Sequence, residues 1–217
     1  DRPSYIPPQP VGEVMRAGAI GQVVESRSPG FGAGDLVMGG FGWQDYSHFD
    51  GSHPTATKIT GDHPLPKYLG VLGGIGLPAH IGLLEVGKAT AGETVVVSGA
   101  AGATGSTVVQ IAKLKGCRTI AIAGGAAKCR WVTEELGADA AIDYKSENVA
   151  ARLAAHCPAG IDLYFDNVGG PILEAAIGNM KQHGRIAVCG MISGYNDRTP
   201  QPGPSNLFEL VAPGVLE

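Results

Sequence analysis

The chain reads as an α/β protein, a doubly wound parallel sheet with crossover helices, preceded by a smaller β-rich segment. Three observations predict this. From Glu93 onward, short apolar runs alternate with amphipathic stretches, the pattern of parallel strands joined by helices. One junction carries the glycine-rich turn Gly99-Ala100-Ala101-Gly102-Ala103-Thr104-Gly105, set between the apolar run Thr94-Val95-Val96-Val97-Ser98 and a helix-like stretch. Before residue 50 the chain is instead rich in glycine and in short β-favouring segments separated by turn residues.

Taken in order, the β-rich part predicts strands over 19–26, 34–38 and 43–49, with a turn cluster at 28–35. Residues 51–66 are polar and punctuated by proline, so they read as a surface connection; His53 and His63 lack partners at metal-ligand spacing. Apolar residues over 69–86 recur at near-helical intervals but are broken by Gly73-Gly74 and Pro78. A loop and then a helix over 79–85, stopped by Gly87, follow from that. The parallel region predicts strands over 94–98, 119–123, 140–143, 163–166 and 186–189, and helices over 104–114, 126–136, 148–155 and 172–180. A complete doubly wound dinucleotide fold has about six such strands, so the sheet is expected to lack its last one. The expected division is 1–85 for the β domain and 86–217 for the parallel domain.

Composition narrows the chemistry. The chain has 217 residues, a net charge of −4 and no cluster of Lys and Arg, which argues against a nucleic-acid partner. The 4 cysteines, Cys117, Cys129, Cys157 and Cys189, are far apart, and His156 merely adjoins Cys157, so no metal site is expected. No run approaches the roughly 20 apolar residues of a membrane helix, and no apolar signal core is seen. The expectation is a cytoplasmic protein with free thiols and no membrane association. Asp1 rather than Met opens the chain, as in a processed, trimmed or partly recorded polypeptide.

The glycine turn is the first candidate site. Backbone N–H groups at a helix start are unpaired and carry partial positive charge, and glycines let a pyrophosphate approach them. Among 34 glycines a lone Gly-x-x-Gly-x-x-Gly match carries little weight; its strand-turn-helix context carries more. In an NAD site an acid about 20 positions further on takes the ribose hydroxyls. Here that stretch reads Ala123-Gly124-Gly125-Ala126-Ala127-Lys128, with no carboxylate and with Arg130 following. Lys128 and Arg130 would neutralise an adenosine 2′-phosphate, favouring NADP, or are plain solvated charges on a helix. Tyr144 closes the third strand, Phe165-Asp166-Asn167-Val168-Gly169-Gly170 the fourth and Cys189-Gly190-Met191-Ile192-Ser193-Gly194-Tyr195-Asn196 the fifth, all on the carboxyl edge where open α/β sheets bind ligands.

Those runs, with Glu93–Lys115, Leu83-Leu84-Glu85-Val86-Gly87-Lys88 and Val11-Gly12-Glu13-Val14-Met15-Arg16, resemble the zinc-independent medium-chain dehydrogenases/reductases, and within them the leukotriene and prostaglandin reductases and their bacterial NADP-dependent relatives. The resemblance implies a Rossmann-type domain joined to an incomplete GroES-like β domain. It implies that Gly102, Ala103, Thr104 and Gly105 hold the pyrophosphate and that Lys128 and Tyr144 hold the 2′-phosphate. Asn167, Cys189, Gly190, Met191, Ile192, Ser193, Gly194 and Tyr195 would then lie along the nicotinamide. The implied reaction is metal-free hydride transfer from NADPH to the carbon-carbon double bond of an α,β-unsaturated ketone or aldehyde. Tyr195 is the one catalytic candidate, as proton donor or as a group that only holds the cofactor. A quinone as the small-molecule substrate and a catalytically silent NADP-binding fragment stay open beside it. A homodimer is expected only if the C-terminal region typical of the family exists. The chain departs from the family at Gly76-Leu77-Pro78-Ala79-His80, where Pro78 and His80 stand in place of Thr and Tyr.

Overall fold

The computed structural model describes residues 7–49, 56–197, 199 and 202–210. The chain divides into two units at Gly74/Ile75. The first holds a three-stranded antiparallel sheet of β1 (Ala19–Gln22), β2 (Leu36–Gly39) and β3 (Thr57–Lys58), followed by the one-turn helix α1 (Pro66–Leu69). Thr57 and Lys58 pair with Met38 and Val37. Residues 43–49, expected as a strand, form a bend over 43–45 and irregular chain after it. Gly42 turns the chain with a φ of +76° and the Trp43 N–H bonds to the Met15 carbonyl, while Phe49 stacks on Phe41 and meets Phe31 edge-on. Aromatic packing therefore accounts for the β-favouring residues that predicted a strand here. His53 and residues 1–6, 50–55 and 211–217 lie outside the described residues.

The second unit begins with helix α2 (Gly76–His80), which starts earlier than expected. Pro78 sits in its first turn, where a missing N–H costs no intrahelical bond. The helix widens into a π turn over Ile81–Val86, where Gly82 abuts the Phe165 ring and a Cβ would stand 2.7 Å from it. Because Ala79 and Leu83 are buried in the core of this unit, the boundary falls at 74/75 rather than at the expected 85/86.

From Thr94 to Val188 the elements alternate strictly: β4 (Thr94–Val97), α3 (Ala103–Leu114), β5 (Arg118–Ala123), α4 (Ala126–Glu134), β6 (Ala140–Asp143), α5 (Val149–His156), β7 (Ile161–Asp166), α6 (Gly170–Ile177) and β8 (Met180–Val188); the short 3-10 turns Ile192–Gly194 and Leu207–Leu210 follow. The sheet order is β6-β5-β4-β7-β8, all parallel, so this is a Rossmann-type doubly wound sheet. Alternate side chains of one strand serve two layers. Val95 and Val97 pack with Leu83, Val108, Val109 and Val132 on one face, and Val96 packs with Ile120, Leu153 and Ala176 on the other.

Among the strands and helices of this sheet, the junction between α6 and β8 departs most from expectation. Helix α6 ends at Ile177 rather than 180, and β8 begins at Met180 rather than 186. The first half of β8, Met180 to Gly184, is mostly polar and bulged, with His183 at a φ of +61° and the register shifting opposite Ile161/Leu163, so no hydrophobic period marks it.

Candidate active site

The carboxyl ends of β4, β5, β6, β7 and β8 open onto one cleft of about 1050 Å³. Its floor is the glycine turn. Gly99 adopts a φ of +58°, the Gly102 N–H closes onto the Gly99 carbonyl, and the Ala100 N–H bonds to Ile122 in the neighbouring strand. A Cβ on Gly105 would collide with the Gly99 carbonyl, so only hydrogen lets α3 sit this close to its own turn. Gly102 is the N-cap of α3 and supplies no side-chain cap; the N–H groups of Ala103, Thr104 and Gly105 have no hydrogen-bond partner among the described residues. Helix α5 differs, because Asn148 Oδ1 accepts from the Ala151 N–H and caps it. The open α3 terminus therefore presents unpaired donors and a positive dipole end to the cleft.

At one end stand Gly124, Lys128 and Tyr144. The Tyr144 ring lies directly over Gly124, where a Cβ would stand 2.8 Å from it. Lys128 is exposed and has no ion-pair partner among the described residues; Arg130 does not line the cleft. The turn itself carries no acid, yet one reaches it from the next strand. The Asp143 carboxylate accepts from the Gly125 N–H at 2.7 Å, from the Lys145 N–H and from the Ser146 hydroxyl. Those bonds, the Gly125 N–H foremost, hold its carboxyl below the usual carboxylate range. The parallel register pairs Ala123 with Asp143, which is the signal that an acid ending the third strand neighbours the turn after the second.

The other end is built from the turns after β7 and β8. Asn167 Nδ2 donates to the Ser98 carbonyl at 2.7 Å, and the Cys189 and Gly190 N–H groups both bond to the Asp166 carbonyl. The Ser193 hydroxyl donates to the Val168 carbonyl at 2.6 Å. The Tyr195 hydroxyl accepts from the Met191 N–H at 3.2 Å and lies against Gly190. Cys189 is a free, exposed thiol that desolvation and the Asp166 carboxylate push up, so it stays protonated.

Of the residues singled out in the sequence, Gly102, Ala103, Thr104, Gly105, Lys128, Tyr144, Asn167, Cys189, Gly190, Ile192, Ser193 and Tyr195 line this cleft, while Met191 and Gly194 do not. Met191 packs over Gly169 instead, within 3.3 Å of where a Cβ would be. Sequence reasoning missed the apolar wall of Val149, Pro171, Ile172 and Ala175. The spacing of 171, 172 and 175 on one helical face was the available sign. Among the described residues no group of His, Cys, Asp and Glu stands close enough to hold a metal ion. No helix there is long and apolar enough to cross a membrane.

A doubly wound sheet with an open glycine turn at its carboxyl edge defines a dinucleotide-binding class of protein. The family described as zinc-binding dehydrogenase matches residues 103–212, and that described as the N-terminal domain of oxidoreductase matches residues 1–57. The chain belongs to the zinc-binding dehydrogenase family, the medium-chain dehydrogenases/reductases. It is 47% identical over 214 residues to the NADPH-dependent curcumin reductase of Escherichia coli K12, covering 98% of this chain and 61% of that protein. It is 42% identical over 209 residues to the NADP(+)-dependent 2-alkenal reductase of Nicotiana tabacum, covering 96% and 61%. The crystal structure of CurA in complex with NADPH from Vibrio vulnificus superposes with a TM-score of 0.86 at 43% identity, covering 97% of this chain and 62% of that one. The chain thus spans about three fifths of the length of the relatives it matches.

Proposed function

We propose that this chain binds NADPH and serves a reductase acting on the carbon-carbon double bond of α,β-unsaturated ketones and aldehydes. The observation that carries the cofactor is the open α3 terminus sharing one cleft with Lys128, which has no ion-pair partner among the described residues: donors for a pyrophosphate and a cation for a 2′-phosphate. The cleft suits such a group, since the α3 terminus, Lys128 and Tyr144 all line one volume of about 1050 Å³. The substrate class is supported by the names of the relatives, a 2-alkenal being by definition a conjugated aldehyde.

When bound, NADPH supplies a hydride to the β-carbon of the conjugated double bond. The chain's own residues then have three tasks. The N–H groups of Ala103, Thr104 and Gly105 bind phosphate oxygens; Lys128 and the Tyr144 hydroxyl bind the 2′-phosphate; Asn167 and the Cys189–Tyr195 turn orient the nicotinamide. Tyr195 accepts from Met191 and retains its own O–H proton, the arrangement required of a donor to a developing oxyanion. NADPH oxidation followed at its absorbance band tests this with a panel of simple enones and quinones. Enone-dependent turnover is expected; turnover with quinones alone, or none with either, contradicts the substrate class.

A further inference from the structure

Asp166 is a charged residue, fully buried at the end of β7, in a unit whose core is otherwise almost wholly apolar. One of its oxygens, Oδ1, accepts from four donors: the Ser98 hydroxyl at 2.9 Å, the Tyr164 hydroxyl at 2.9 Å, and the Val168 and Gly169 N–H groups at 3.0 Å each. The other, Oδ2, is buried and has no partner among the described residues. Burying a carboxylate with one oxygen uncompensated is costly, and an apolar pair of the same shape would serve stability as well or better. Of these donors, Val168 and Gly169 line the cleft and Ser98 adjoins its Gly99, whereas Tyr164 lies in the core. Ser98 also accepts from the Asn167 N–H at 2.9 Å, and its carbonyl takes the Asn167 side chain. The Asp166 carbonyl takes the Cys189 and Gly190 N–H groups. One residue thus ties together the ends of β4, β7 and β8, the three strands that carry the nicotinamide side of the proposed cofactor site.

We propose that Asp166, acting through Ser98 and the Val168 and Gly169 N–H groups, is the positioning residue that holds the nicotinamide wall of the cleft in its binding geometry. It touches neither cofactor nor substrate; it fixes Asn167 and the Cys189–Gly190 turn before either arrives. The assignment rests on the NADPH reading above. It predicts a split between the two ends of one ligand, which loss of stability alone does not produce.

Titration calorimetry with NADPH and with adenosine 2′,5′-bisphosphate, which lacks the nicotinamide, measures that split. In Ser98→Ala and Asp166→Ala, NADPH affinity falls about tenfold, the weight of a hydrogen bond to a charged group, while the bisphosphate stays within about twofold. Asp166→Asn, which keeps an acceptor oxygen in place, recovers most of the NADPH affinity. Tyr164→Phe removes a donor to the same oxygen but no cleft contact, so it lowers the melting temperature and leaves the affinity ratio unchanged. Should Asp166→Ala fail to fold, Ser98→Ala carries the comparison. An unchanged ratio of the two affinities in Ser98→Ala overturns the assignment even when NADPH binds the parent chain. Absence of NADPH binding by the parent chain overturns the cofactor reading and the assignment with it.

Discussion

The two ends of the cleft are built on opposite principles. At the Lys128 end the groups lie at the surface: an exposed lysine with no ion-pair partner among the described residues, a tyrosine ring over a glycine, and the half-buried Asp143, whose carboxylate is satisfied by backbone and hydroxyl donors of its own and the neighbouring turn. At the Asn167 end the walls hang from a buried carboxylate and from carbonyls at the ends of two strands, β4 and β7. Charge recognition needs only a mobile, screened cation near a phosphate. Orienting a flat, nearly neutral ring needs walls that do not move. One end can therefore change its cofactor preference without cost to the fold, whereas the other is tied to the core.

Substitutions break this comparison most sharply where the two ends meet. Gly105→Ala forces the Gly99 carbonyl away from α3, so it should cost about 2–3 kcal/mol of stability and abolish binding of NADPH and NADH alike, as measured by chemical unfolding and calorimetry. Lys128→Ala should weaken NADPH about tenfold with NADH unchanged and the melting temperature unmoved; equal losses for both cofactors would refute the 2′-phosphate role. Gly124→Ala pushes against the Tyr144 ring, which is 47% exposed and has room to swing away. The expected effect is a loss of NADPH affinity of about threefold with stability within about 1 kcal/mol of the parent.

The smallest effect is a pH dependence carried mainly by groups outside the cleft. His156 is held below its ordinary value near 6.5 by burial and by Arg152 and Arg118. Burial alone would raise Asp139 and Asp162, but their lysine partners Lys113 and Lys181 and the N–H groups of Thr119 and Thr94 outweigh it and hold both carboxyls below 3.8. In each case the unfolded chain binds more protons between the two values, so stability falls as pH drops. The melting temperature should decline slightly below pH 6.5 and more steeply below 3.8. A melting temperature flat from pH 7 to 3 would contradict it.

How far the sequence discloses this site follows from the kind of signal each part sends. The glycine turn is legible because strand, turn and helix each carry their own pattern there, and β4 and α3 lie within a residue of where periodicity puts them. Lys128 is legible by its distance from that turn, and Tyr144 by closing the third strand. Asp166 is not, because hydrophobic patterning counts an acid at a strand end as exposed. The clue is that Tyr164 and Asp166 share one face of β7, opposite Ser98. The short β3, set by pairing with β2 rather than by its own residues, and the polar first half of β8 are hidden for the same reason: their conformation is imposed by neighbours distant in sequence.

A cleft that takes the 2′-phosphorylated dinucleotide must prefer NADPH to NADH. Titration calorimetry of the unmodified chain with NADPH and NADH tests that most directly. NADPH should bind at least about tenfold more tightly, as one charge-assisted contact to the 2′-phosphate requires. Equal affinity for the two, or binding of neither, would contradict it.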